Sequence, residues 1–210
     1  MVWNPRLSRL SCLLASFLVS VAVLPATAQG VQVGAPAPDF TATDSNGKSD
    51  SLDQFHGKYV VLEWHNQGCP YTKKHYVSGN MQALQKEWTA KGVAWFTVIS
   101  SAPGQQGFVT PDEENAYLAQ MHAAPTGVLM DPAAKLARLY NAKTTPQMIV
   151  IDPAGKVIYD GAIDNRPTPD VGDIHGADNY VSDALTAAMS GKPVATAFTR
   201  PYGCSVKYPD

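Results

Sequence analysis

The fold is decided by residues 60–72, which read VVLEWHNQGCPYT. The run Val60–Trp64 is apolar apart from Glu63, and this pattern predicts a buried strand. After a short turn comes Cys69, and Pro70 follows it, as expected where a helix begins. Strand, turn and helix therefore place Cys69 at or near a helix N-terminus.

Beyond this proline, apolar residues recur at steps of four, three and four, and they predict one amphipathic helix from Pro70 to Ala90. The apolar stripe consists of Val77, Met81, Leu84 and Trp88. Unpaired N–H groups and the helix dipole favour a thiolate over a thiol at the start of such a helix. Cys69 is therefore a candidate nucleophile, and the alternative is a buried, inert thiol.

Residues 1–28 have the features of a secretory signal peptide. Basic residues precede the apolar segment 10–24, and residues 26–28 read Ala-Thr-Ala, a cleavage pattern. The apolar segment is shorter than the roughly 20 residues that a membrane-spanning helix needs. We therefore predict cleavage after Ala28, no membrane anchor afterwards, and a periplasmic or secreted mature chain.

Composition narrows the class of protein. The chain has 210 residues, a net charge of −2 and three cysteines. No basic run or basic stripe is present, so we predict no nucleic-acid partner. Loss of the leader takes the net charge to about −4 and leaves Cys69 and Cys204. An exported chain meets an environment where disulfides persist, so these two thiols are candidate partners.

The order of predicted elements indicates an α/β fold. A β-hairpin around Asn46-Gly47 precedes the strand–helix unit, and a second apolar strand follows at residues 93–99. Later come two helices, an antiparallel hairpin and a last amphipathic helix. An early βαβ unit followed by an antiparallel hairpin predicts a central mixed sheet flanked by helices. The tail, residues 192–210, lacks periodicity and is predicted to be irregular.

Four features suggest a common site. Besides Cys69 and Cys204, the acid Glu63 is either turned to solvent or buried with a raised pKa, and near Cys69 it would carry a proton. Thr145-Pro146 stands before a strand, where a cis peptide is favoured because only X–Pro bonds adopt cis at small cost.

From about Val33 to Asp210 the sequence resembles the thioredoxin superfamily. Glu63, Cys69 and Pro146 match, in order, the buried acid, the cysteine at a helix start and the cis-proline of thioredoxins. The resemblance implies a thioredoxin-like fold with a central mixed sheet and an N-terminal β-hairpin extension.

The motifs are similar to those of a redoxin (AhpC-TSA) subgroup usually called peroxiredoxin-like. They are Cys69-Pro70, Thr145-Pro146, the sequence Tyr-Asp-Gly-Ala-Ile-Asp at 159–164, and Gly-Cys-Ser-Val-Lys-Tyr at 203–208. We therefore expect a redoxin domain over residues 29–191, followed by the tail. Thr72 departs from the pattern, because thioredoxins carry their second cysteine there and peroxiredoxins their peroxidatic one.

The resemblance implies thiol-based redox chemistry without an organic cofactor. Cys69 would be the nucleophile and Cys204 the resolving thiol, with Glu63 as proton carrier and Thr145-Pro146 shaping the substrate site. The substrate would be a protein disulfide or thiol, or a peroxide, with another thiol protein as electron donor.

The alternative is a non-enzymatic thioredoxin-fold binding protein with a structural Cys69–Cys204 disulfide. His65 and His75 flank Cys69 in the sequence, which leaves a metal site open. In the main interpretation no metal is bound, and Lys73-Lys74-His75 form a solvated helix face.

Overall fold

A computed structural model describes residues 1–2 and 31–209. The predicted signal peptide and Cys12 lie outside these residues, apart from Met1 and Val2. Within the described residues the strands are β1 (Thr41–Thr43), β2 (Ser49–Ser51), β3 (Val60–Trp64), β4 (Ala94–Ile99), β5 (Gly127–Met130), β6 (Thr144–Thr145), β7 (Gln147–Ile151), β8 (Val157–Gly161) and β9 (Cys204–Ser205). The α-helices are α1 (Pro70–Val77), α2 (Asn80–Ala90), α3 (Pro111–Gln120), α4 (Lys135–Leu139) and α5 (Tyr180–Met189).

The central sheet has five strands in the order β5-β4-β3-β7-β8. Strands β3, β4 and β5 are mutually parallel, whereas β7 runs antiparallel to β3 and β8 antiparallel to β7. Strands β1 and β2 form a separate hairpin. The predicted thioredoxin-like α/β fold, with its mixed sheet and N-terminal hairpin, is confirmed.

Strand β3 lies in the middle of the sheet, and every one of its residues is buried. Its side chains alternate between two cores. Val61 packs with residues of α2 and α5, whereas Leu62 packs with Phe40 and with residues of α4 on the other face. The apolar pattern of this strand therefore reflects cover on both faces. The turn that follows β3, and Cys69 with it, therefore lies at the C-terminal end of this central strand.

The single helix predicted from Pro70 to Ala90 is wrong, because the structure ends α1 at Val77 and begins α2 at Asn80. Between them Gly79 adopts a φ of +77°, a left-handed conformation that glycine takes without steric cost. The break removes Val77 from the predicted apolar stripe, and its side chain is 65% exposed. The segment therefore forms two helices where one was predicted.

The tail was expected to be irregular, and this expectation is also wrong for part of it. Strand β9 pairs antiparallel with β6, so that Cys204 lies opposite Thr145. Further upstream, the amide of Asp160 in β8 donates to the carbonyl of Ala197, and the amide of Thr199 donates back to Asp160, both at 3.1 Å. The tail is thus hydrogen-bonded to the domain on both sides of residue 200.

Among the helices that the structure describes, none has both the length and the apolar character needed to cross a membrane.

Candidate functional site

Cys69 lies at the start of α1, as its N-cap residue. Its thiol is fully buried, and the Sγ atom is 3.0 Å from the carbonyl oxygen of Thr145. The backbone N–H of Cys204 points at the same sulfur from 3.4 Å. The Thr145–Pro146 peptide bond is cis. The structure therefore brings together four of the five predicted site residues, from three distant parts of the chain.

The tail reaches this position through a close backbone contact. Gly203 has a φ of +136°, and a Cβ at this residue would lie 2.0 Å from the carbonyl oxygen of Thr145. No other residue fits there, since that separation is far below a van der Waals contact. The Gly-Cys pair of the tail motif thus has a physical basis: the glycine lets the Cys204 backbone approach β6.

Cys69 and Cys204 are both free thiols. Burial disfavours the Cys69 thiolate, but hydrogen bonds from the Cys204 thiol and from the backbone N–H of Thr72 outweigh it. They hold the pKa of Cys69 below that of an ordinary cysteine. Burial and the neighbouring Cys69 raise the pKa of Cys204 to about 11. Of the two thiols, Cys69 is therefore the first to ionise.

Glu63 is fully buried, and its carboxylate accepts three hydrogen bonds. The Tyr76 hydroxyl donates to Oε1 at 2.8 Å, while Trp95 Nε1 and Gln85 Nε2 donate to Oε2 at 2.8 and 3.1 Å. Within the described part of the chain no hydrogen bond joins this carboxylate to Cys69. Of the two environments open to Glu63 from the sequence, the structure shows the buried one.

A buried histidine that the sequence presented only as a metal ligand links Glu63 to a second acid. His65 Nδ1 lies 3.8 Å from Glu63 Oε1, and its Nε2 lies 3.4 Å from Glu114 Oε1. Burial disfavours the imidazolium, yet the carboxylates of Glu114 and Glu63 outweigh it and raise the pKa of His65. Burial likewise raises the pKa of Glu114. His65 and Glu114 therefore each hold a proton more tightly than they would in water.

His75 makes different contacts and does not join His65. Its Nδ1 lies 2.9 Å from Asn80 Nδ2, and its Nε2 lies 3.4 Å from the Tyr202 hydroxyl. In the described ranges no group of three or more His, Cys, Asp or Glu residues is arranged to hold a metal ion. The expected solvated face is wrong for Lys74 and His75, which are both buried, and right for Lys73, which is exposed.

The ionisation of the two thiols gives a first prediction. In the reduced protein, ultraviolet thiolate absorbance should show Cys69 ionising at a lower pH than an ordinary cysteine, because its pKa is lowered, and Cys204 only near a pKa of about 11. Replacing Cys204→Ala removes the thiol donor, so the pKa of Cys69 should rise. The control Cys204→Ser keeps a hydroxyl donor and should leave it nearly unchanged. A Cys69 pKa that is the same in all three proteins would contradict this account.

Comparisons with known proteins agree with the geometry. The chain is 24% identical over 130 residues to the thiol-disulfide oxidoreductase ResA of Bacillus subtilis, covering 62% of this chain and 67% of ResA. It is 27% identical to the structure of a proposed thiol:disulfide interchange protein, DsbE, from Chlorobium tepidum. That match has a TM-score of 0.51 and covers 62% of this chain and 85% of the other. These relatives support an oxidoreductase role.

A longer structural match supports the fold. An uncharacterized conserved protein from Geobacillus kaustophilus superposes with a TM-score of 0.72 at 24% identity, over 85% of this chain and 93% of that one. In sequence, residues 33–160 match the AhpC/TSA family, which is more than half of the chain. The chain therefore belongs to the AhpC/TSA family, within the redoxin group of the thioredoxin superfamily.

Proposed function

We propose that the chain is an exported thiol–disulfide oxidoreductase whose redox-active groups are Cys69 and Cys204. The observation that supports this most is the 3.4 Å approach of the Cys204 backbone N–H to the Cys69 sulfur, beside the cis Thr145–Pro146 bond, with both thiols free and Cys69 the more acidic of the pair. Similarity to ResA and to the DsbE structure favours the same reaction class. The partners are accordingly thiol proteins, one as substrate and one as electron donor.

The reaction proceeds in two exchanges. The Cys69 thiolate attacks a substrate disulfide, a new S–S bond forms, and one substrate sulfur leaves as a thiolate. Cys204 then loses its proton and attacks the Cys69 sulfur, which forms the Cys69–Cys204 disulfide and releases the second substrate sulfur. Two electrons have passed from the protein to the substrate. A donor thiol protein restores the dithiol by the reverse exchange.

Access to the nucleophile depends on the tail. Cys69 is 0% exposed, whereas Cys204 is partly exposed above it. A substrate disulfide reaches the Cys69 sulfur only when the Cys204 segment shifts. Thr145 pairs with Cys204 and contacts the Cys69 sulfur, so Thr145 and Pro146 are the residues that a substrate would meet next to the thiol.

Reaction with a peroxide is a second candidate, favoured by membership of the AhpC/TSA family. Here the Cys69 thiolate attacks a peroxide oxygen, becomes a sulfenic acid and releases water or an alcohol. The Cys204 thiol then condenses with the sulfenic acid, giving the same disulfide and one water. The two candidates therefore share residues and end product, and differ only in the oxidant.

Export is part of the proposal. The leader, residues 1–28, would be removed, leaving a redoxin domain over residues 29–191 and the tail over 192–210. The exported protein is expected to begin at Gln29, because cleavage follows the Ala-Thr-Ala pattern. N-terminal sequencing of protein from the extracytoplasmic fraction checks this. An intact Met1 in that fraction would contradict it.

Oxidation of purified protein tests the redox pair. With oxidised glutathione, wild type should lose both free thiols and become about 2 Da lighter by intramolecular disulfide formation. Cys204→Ser should instead keep glutathione bound to Cys69, and Cys69→Ser should form no intramolecular disulfide. The rate of thiol loss with hydrogen peroxide, measured in parallel with the rate with oxidised glutathione, decides between the two oxidants. If wild type keeps both thiols with both oxidants, the redox proposal fails, and so does the structural Cys69–Cys204 disulfide of the binding-protein alternative.

Glu63 is proposed as the proton carrier of the pair, acting through His65, since among the described residues no hydrogen bond joins its carboxylate to Cys69. Glu63→Gln should slow disulfide reduction at neutral pH by about 100-fold and change the pH–rate profile. Tyr76→Phe is the matched control, since it removes one hydrogen bond to Glu63 and keeps the carboxylate. Should both variants retain the wild-type pH–rate profile, Glu63 has a structural role only.

A further inference from the structure

A second buried polar cluster lies next to the Cys204 segment and takes no part in the proposed exchange. It consists of Lys74 and His75 from α1, Asp164 from the segment after β8, and Tyr202 from the tail. The first three side chains are at most 2% exposed. We call these four residues the tail clamp. They join the helix that begins at Cys69 to the segment that carries Cys204.

The hydrogen bonds of the tail clamp converge on the Tyr202 hydroxyl. This hydroxyl donates to Asp164 Oδ1 and accepts from Lys74 Nζ at 3.3 Å. Lys74 also donates to the carbonyl oxygen of Arg166 at 2.7 Å and lies 3.6 Å from Asp164 Oδ2. An ammonium group has three N–H donors, and two of them make hydrogen bonds here, to Arg166 and Tyr202. His75 Nε2 approaches the same hydroxyl at 3.4 Å.

The charges of the tail clamp balance. Burial, together with the Lys74 cation, lowers the pKa of His75 to about 3, so His75 is neutral at physiological pH. Lys74 and Asp164 then form one buried ion pair. Buried charges are costly unless they are paired and hydrogen-bonded, and the Tyr202 hydroxyl gives each of the two one further hydrogen bond. Docking of Tyr202 is therefore strongly favoured by the interior that receives it.

Tyr202 stands two residues before Cys204, and Gly203 between them is pressed against Thr145. On the far side, β9 pairs with β6, and the amide of Val206 donates to the carbonyl of Lys143 at 3.0 Å. The Cys204 backbone is thus fixed from both directions. Helix α1 bears Cys69 at its beginning and the tail clamp near its end, so one rigid element sets the position of both thiols.

The tail clamp also accounts for sequence motifs that the redox chemistry leaves unused. Asp164 ends the motif Tyr-Asp-Gly-Ala-Ile-Asp, and Tyr202 comes directly before the motif that contains Cys204. Asp164 additionally accepts from the backbone N–H of Arg166 at 2.9 Å, which fixes its carboxylate beneath the tail. The two motifs meet in space through the Asp164–Tyr202 hydrogen bond.

We propose that Lys74, Asp164 and Tyr202 are positioning residues that hold Cys204 against Cys69. This inference rests on the proposed function, because it concerns how readily the two thiols pair. The tail clamp has two opposite consequences. It raises the effective concentration of Cys204 at the Cys69 sulfur, and it keeps outside reagents away from that sulfur.

The decisive variant is Tyr202→Phe, which keeps the ring and removes the hydroxyl. The protein is equilibrated in buffers of reduced and oxidised glutathione, in which two glutathione thiols reduce the Cys69–Cys204 disulfide and leave as oxidised glutathione. The equilibrium ratio of dithiol to disulfide gives the effective concentration of Cys204 toward Cys69. We expect this quantity to fall about tenfold, equivalent to about 1.4 kcal/mol. In a Cys204→Ser background, alkylation of Cys69 by iodoacetamide should accelerate by a similar factor. Asp164→Asn should shift both quantities in the same directions.

The control is Tyr140→Phe, which removes another tyrosine hydroxyl, one that donates to the carbonyl of Pro38 at 2.6 Å. It should leave both quantities at wild-type values, even where thermal stability falls. The proposal is overturned if Tyr202→Phe leaves either quantity unchanged, or if Tyr140→Phe changes both equally. If wild type forms no Cys69–Cys204 disulfide at all, the proposed function fails, and the alkylation rates still decide whether the tail clamp closes the site.

Discussion

The contact between the Cys69 sulfur and the paired backbones of Thr145 and Cys204 is the constraint on which the site depends. A thiol that is simply buried is a weak acid and chemically inert, because an apolar interior disfavours the thiolate. Here donors from the helix start and from the tail surround the sulfur and reverse that effect. The same contact requires the tail to return from the far end of the chain, a glycine at position 203, and a strand pairing of only two residues.

Local sequence patterns predicted the elements that are stabilised locally or by continuous burial. Strand β3, the turn and the start of α1 follow from an apolar run and a proline, and the mixed sheet follows from the order of such runs. The tail could not be predicted in this way. Strand β9 has two residues, too few for any periodicity, and its partner β6 lies at a distance in sequence that no local pattern records. The break at Gly79 was missed because the apolar spacing continues across it.

The site was predictable to the extent that its residues have distinctive chemistry in distinctive places. An acid within an apolar strand, Glu63, stands out, whereas Glu114 is one of three acids in the first turn of α3 and only the packing turns it inward. Lys74 and His75 looked like surface residues, because lysine is almost never buried without a partner. The partner, Asp164, is supplied by a different motif. The sequence thus identified Cys69 as the reactive group, whereas the residues around it are set by contacts between distant parts of the chain.

Cys69 must be reactive toward its substrate and protected from other oxidants, and the contacts of the tail bear on both requirements. A low thiol pKa makes a cysteine reactive toward any oxidant that can reach it, so an exposed thiolate would be consumed without selectivity. The structure shields the sulfur with the residue proposed to resolve it. In the proposed mechanism, opening the tail for a substrate breaks contacts at Tyr202 and at the β6–β9 pairing, and closing it restores them as Cys204 returns. Under that proposal, the free energy of those contacts sets both how selectively Cys69 is reached and how quickly its mixed disulfide is resolved.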